Sequence, residues 1–133
     1  MSLPRQSAPV FNAFNQISEF VVFNMLDKLK ATAQGSDGLP YWFLKLIAAS
    51  ISKPLTHIFN LSLGSGIIPS QWKQAIIVPL QKIPNPLSCS DFRPISLTPI
   101  LSRVLDKIVV RTFLYPIFLS PTHHQLFNDQ FAF

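Results

Sequence analysis

The chain has 133 residues, 48% of them hydrophobic and 13% charged, with twelve Phe and twelve Pro. That is too apolar for a disordered segment, enough for one small domain with its own core, and apolar enough to imply a surface that further polypeptide covers. Eleven Lys and Arg against six Asp and Glu give a net charge of +5, which suits a nucleic-acid partner without establishing one, and a single cysteine, Cys89, excludes an internal disulfide and a cysteine metal cluster.

Met1–Phe11 contains Pro4 and Pro9 and lacks the apolar stretch of a secretion signal, so residues 1–17 read as a loose leader. Ser18 reads as the N-cap of a helix running to about Lys30, with Val21, Val22, Met25, Leu26 and Leu29 on one face. Gly35-Ser36-Asp37-Gly38 reads as a tight turn in which both glycines supply backbone freedom and Asp37 is a turn residue. Pro40 opens a helix to about Ser52 with Trp42, Phe43, Leu46, Ile47 and Ile51 as its apolar contacts. Pro54 starts a second helix to about Leu63, which Gly64 and Gly66 end. His57 has no His, Cys or acid three or four residues away and is a packed or surface side chain. Residues 54–72 carry no charge, yet Pro, Gly, Asn and Ser interrupt them, so no membrane span is expected.

Two apolar strands follow, Gln74–Gln81 and Phe92–Leu97, around a loop rich in turn residues. Lys82 closes the first strand and Arg93 opens the second, so a hairpin brings both cations to one end. Opposed cations suit a triphosphate or a nucleic-acid backbone, although solvated strand-end charges are the commoner case. Thr98-Pro99 opens a helix to about Tyr115. Its apolar stripe is Ile100, Leu101, Val104, Leu105, Ile108, Val109 and Thr112; Arg103, Asp106, Lys107 and Arg111 lie on the other side. Tyr115-Pro116 and Ser120-Pro121 end it, and His123-His124 read as loop. No repeat, low-complexity tract or glycine-rich phosphate loop is present in the sequence.

Several of these stretches, in order, resemble the reverse transcriptases of non-LTR (LINE-type) retrotransposons. Trp72-Lys73-x-Ala75, Val78-Pro79-Leu80-x-Lys82 and Asp91-Phe92-Arg93-Pro94-Ile95-Ser96-Leu97 match motifs that the family writes WKxA, VPIxK and YRPISL. Gly35-x-Asp37-Gly38, Asn60-x-Ser62-Leu63 before Pro69-x-x-Trp72-Lys73, and Ser102–Lys107 extend the match. Gln130-Phe131-Ala132-Phe133 resembles the family's QFGFR, with Ala132 at the usual Gly and the chain stopping short of the Arg.

The resemblance implies an α+β fold: a helical N-terminal half, a short antiparallel β-hairpin and a long C-terminal helix, together an incomplete fingers subdomain of a right-hand polymerase. The apolar stripes of residues 40–63 and 100–109 are expected to bury against each other. The resemblance further implies that Lys82 and Arg93 clamp the triphosphate of an incoming nucleotide, and that Lys73, Arg103 and Lys107 face the template. The implied partners of the complete enzyme are an RNA template, a DNA primer and a deoxynucleoside triphosphate, with Mg²⁺ as its cofactor, in an intracellular setting and without a membrane. The family's palm motifs, an Asp after an apolar strand and an aromatic-Ala-Asp-Asp turn, do not occur among the six acids of this sequence. Residues 18–133 therefore read as a partial reverse transcriptase domain truncated before the palm, with no catalytic residue and no bound metal of its own. The alternatives are a stand-alone basic module binding RNA or single-stranded nucleic acid, and an inactive retroelement remnant.

Overall fold

The computed structural model describes residues 16–119. Helix α1 (Glu19–Asp27) is the element the rest packs on, touching α2 (Tyr41–Leu46), α3 (Ala48–Ser65) and α4 (Ile100–Val109). Ser18 caps it as expected, its Oγ accepting from the Val21 N–H at 3.4 Å. Val22 and Leu26, one turn apart, are fully buried against Leu44, Phe59, Ile100 and Ile108. Both expected apolar stripes thus enter one core, and α1, in contact with α3 and α4, joins them.

The N-terminus of α1 is fixed by a clamp. Asn60 of α3 accepts from the Ile17 N–H at 2.8 Å and donates to the Ile17 carbonyl at 2.9 Å. The backbone N–H and carbonyl of buried Ile17 are thereby both satisfied by one side-chain amide. Helix α1 stops at Asp27, short of the expected Lys30. The Lys28 N–H returns to the Asn24 carbonyl and the Leu29 N–H to that of Leu26, so the last turn tightens and frees residues 28–34 to cross towards α4.

The expected break at Pro54 lies instead at Ile47, which ends α2 and begins α3 with φ −94° and ψ 8°. Pro54 sits inside α3. It cannot bond the Ser50 carbonyl, but both residues are exposed, so that group is open to solvent. Gly64 is helical, and Gly66, at φ 70°, forms the left-handed cap, its N–H donating to the Ser62 carbonyl at 2.9 Å.

A 3₁₀ turn (Ser70–Lys73) leads into an antiparallel hairpin of β1 (Ile76–Gln81) and β2 (Phe92–Leu97). β1 begins two residues later than expected, and β2 has the expected bounds. Among the described residues the hairpin joins no further strand. Ile77 is 67% exposed on one face and Leu80 52% on the other, which matches the composition's implication of a surface for further polypeptide.

The C-terminal helix is not a single α-helix to Tyr115. After α4, residues Val110–Leu114 form a π-helical turn, with the Tyr115 N–H reaching the Val110 carbonyl, and α5 (Tyr115–Phe118) continues through Pro116. Pro116 lacks the donor that an α-helix would use there, and the wider turn before it absorbs the mismatch without ending the helix. No helix among the described residues is long and apolar enough to cross a membrane. Most of the leader, His123-His124 and the QFGFR-like end lie outside the described residues.

Candidate nucleotide and nucleic-acid site

The hairpin register sets the geometry of the candidate site. Leu80 pairs with Arg93 and Gln81 with Phe92, and one step further the Lys82 N–H donates to the Asp91 carbonyl at 2.8 Å. Strand alternation places Leu80, Lys82 and Arg93 on one face, and Ile77, Pro79, Phe92 and Pro94 on the other. The second group, with Cys89, lines a shallow apolar hollow, as that parity requires. Lys82 and Arg93 are diagonal neighbours at the loop end, with backbones about 7–8 Å apart. Both are exposed.

The loop between the strands is built around Asp91. Its Oδ2 accepts from the Leu87 and Ser88 N–H groups, each at 3.0 Å, and Ser88 completes a capping box over the 3₁₀ turn Cys89–Asp91. These amides hold the Asp91 carboxyl below its usual range. They also turn its charge into the loop, which keeps it from being spent on Lys82 or Arg93. The Lys82 Nζ donates to the Ser90 carbonyl at 2.7 Å. An ammonium has three donors, so two remain for a ligand while this bond fixes the side chain. Asn85 takes φ 61° between two prolines, a left-handed conformation that Asn tolerates.

Lys73 is exposed at the end of the 3₁₀ turn that feeds β1. Its neighbour Trp72 anchors that turn by packing edge-on to Phe59, with ring centroids 5.5 Å apart. Arg103 is half-buried, with its guanidinium engaged within the fold. Its Nη1 donates to the Thr32 hydroxyl at 2.7 Å and its Nη2 to the Ala33 carbonyl at 2.5 Å, tying the segment after α1 onto α4. Lys107 lies one turn further along. With Arg103, Lys28 and Lys30 it lines a cavity of about 220 Å³ between the end of α1 and α4. The hairpin thus gathers Lys82 and Arg93, whereas Arg103 and Lys107 belong to a second feature.

The Gly35–Gly38 motif serves the same junction. The Gly38 N–H closes the turn on the Gly35 carbonyl at 3.2 Å, and Asp37 accepts from the Leu39 N–H, a turn role as expected. Gly38 has the expected positive φ of 67°. Gly35 is needed for proximity instead: a Cβ there would lie 2.5 Å from the Pro99 Cα and 2.6 Å from the Thr98 carbonyl carbon. Among the described residues no group of three or more His, Cys, Asp and Glu gathers.

Comparison with known proteins points to one family. The RNA-directed DNA polymerase from the mobile element jockey of Drosophila melanogaster is 30% identical over 95 residues, 70% of this chain and 10% of that protein. A putative 115 kDa protein in the type-1 retrotransposable element R1DM, from the same organism, is 31% identical over 94 residues, 68% of this chain and 9% of its own length. This chain is related in sequence to the reverse transcriptases of LINE-type retrotransposons. It spans about a tenth of the length of the curated relatives it matches. No family model matches it, and no solved structure does.

Four residues that order these features were not singled out in the sequence. Asn60 was visible only as a motif letter. The ordering role of Asp91 carried a signal, Ser88 three residues before it in capping-box spacing. Nothing local marks the cavity that Lys28 and Lys30 share with Lys107.

Proposed function

We propose that this chain is fingers-like substrate-binding polypeptide of an RNA-directed DNA polymerase, a partial domain that works within a longer enzyme. Lys82 and Arg93 hold the triphosphate of the incoming deoxynucleotide, and Lys73 contacts the template backbone. The observation that carries this reading is the hairpin register, which sets the two cations diagonally on one exposed face above a loop that has taken up its own acid. Arg93 suits a bidentate contact to phosphate oxygens, and Lys82 acts as a compact charge braced on the Ser90 carbonyl. Such a clamp positions the nucleotide and offsets its charge; bond making belongs to acidic residues and Mg²⁺ of the complete enzyme. The RNA template and DNA primer are its partners in the same reading.

The test is a titration of the 133-residue chain with a deoxynucleoside triphosphate, followed by amide NMR. Lys82, Arg93 and the Ser88–Asp91 turn are expected to shift together, and Lys82→Ala/Arg93→Ala is expected to abolish the response. Shifts confined to other elements would remove the assignment.

A further inference from the structure

The cavity between the end of α1 and α4 has a composition that the hairpin does not explain. Four of the protein's eleven Lys and Arg residues line it, Lys28, Lys30, Arg103 and Lys107, and no acid among the described residues does. Helix α1 ends beside it, and cations are favoured at a helix C-terminus, which accounts for Lys28. That preference does not account for Lys107, because the helical backbone runs on from α4 through the π turn into α5 and does not end there. The floor is apolar, from Met25, Ile100 and Val104. Cations gathered against a low-dielectric wall focus a positive potential into the space.

Arg103 gives the cavity its shape. Two of its donors are spent on Thr32 and Ala33, 71 and 70 residues away in sequence, so the segment carrying Lys28 and Lys30 is pinned opposite Lys107. Gly35 lets the same segment close onto Pro99. Arg103 is thus a positioning residue here, and the contacts fall to the three exposed lysines.

We propose that this cavity is a second phosphate site, taking a backbone phosphate of single-stranded nucleic acid between Lys30 and Lys107, with Lys28 at its rim. The proposal rests on the reading that the chain binds nucleic acid, and it assigns one point on the path of the strand. A volume of about 220 Å³ admits a phosphate group with part of its sugar, and the apolar floor suits the sugar's carbon face. Lysine, a mobile point charge with three donors, tolerates any base sequence, as a backbone contact must.

The experiment is anisotropy of a fluorescein-labelled oligo(U) with the 133-residue chain across a salt series. Lys30→Ala/Lys107→Ala removes one cation from each wall, and Lys45→Ala/Lys53→Ala removes two exposed cations from α2 and α3 as a charge-matched control. Each phosphate contact contributes about 0.7 to the salt slope for a single strand. The cavity variant, which gives up one phosphate, is expected to lower the slope by about 0.7 and the control to leave it unchanged. All four lysines are exposed, so both variants keep the fold, which circular dichroism checks. If the wild type binds and the cavity variant keeps its slope, or the control loses as much, the cavity is not the site. If the wild type does not bind oligo(U) at all, the nucleic-acid reading fails and this proposal fails with it.

Discussion

Replacing Gly35 with Ala tests how the segment after α1 is held. The added Cβ would meet the Pro99 Cα at 2.5 Å and the Thr98 carbonyl carbon at 2.6 Å, and both are backbone atoms at the start of α4. No side chain can rotate away, so either the 32–38 segment or the N-terminus of α4 must shift. Overpacking of this kind costs about 1–3 kcal/mol. A shift that also breaks the Arg103 bonds to Thr32 and Ala33 adds about 1.5 kcal/mol or more for each charge-assisted bond lost. Gly64→Ala is the matched control. Its site is helical with nothing within 4 Å, so the same added methyl should stabilise by about 0.5–1 kcal/mol. Thermal unfolding of the 133-residue chain by circular dichroism reads both, since about 1 kcal/mol moves the midpoint by roughly 4–8 °C in a domain of this size. A Gly35→Ala protein as stable as the wild type, or one shifted in the same direction as Gly64→Ala, would refute the close-approach argument.

Asn60→Ala should destabilise by about 1–3 kcal/mol in urea unfolding, because both bonds to the Ile17 peptide are lost at once; a change below about 0.5 kcal/mol would mean that water replaces the clamp. The Asp91 carboxyl has its pKa lowered by the Leu87 and Ser88 amides, so its ordering of the loop is fully present above the usual carboxylate range. That order should be lost only as pH falls through the lowered folded value. An amide NMR titration of Leu87 and Ser88 whose midpoint lies at or above the ordinary Asp value would contradict it.

Local signals carried the reading where local physics decides the structure. Ser18 caps α1, the period-two runs give a hairpin with β2 where expected, and Lys82 and Arg93 reach the same end because the strand lengths leave one sensible register. Proline misled twice, for one reason. Proline need not end a helix where the carbonyl it leaves without a donor has another outlet. Ser50 has solvent, and the π turn before Pro116 redistributes the mismatch. Gly35 was legible as required but not for its true cause, since proximity to residue 99 is a long-range fact. Arg103 shows the same limit: on the helix wheel it is a solvated cation, and only the fold brings Thr32 and Ala33 to it. The likeness to LINE-type reverse transcriptases was legible because the motifs come in order, several of them on a turn, an anchor or a strand described above.

The central claim is that the hairpin face of Lys82 and Arg93 binds the incoming nucleotide. Its most direct test is steady-state primer extension on an RNA template by the complete polymerase carrying this segment, with Arg93→Ala compared to the wild type over a range of deoxynucleotide concentrations. Losing a charged contact of about 1.5–3 kcal/mol should raise the nucleotide KM at least roughly tenfold and lower kcat, with primer-template affinity little changed. Unaltered nucleotide kinetics in Arg93→Ala would contradict the account.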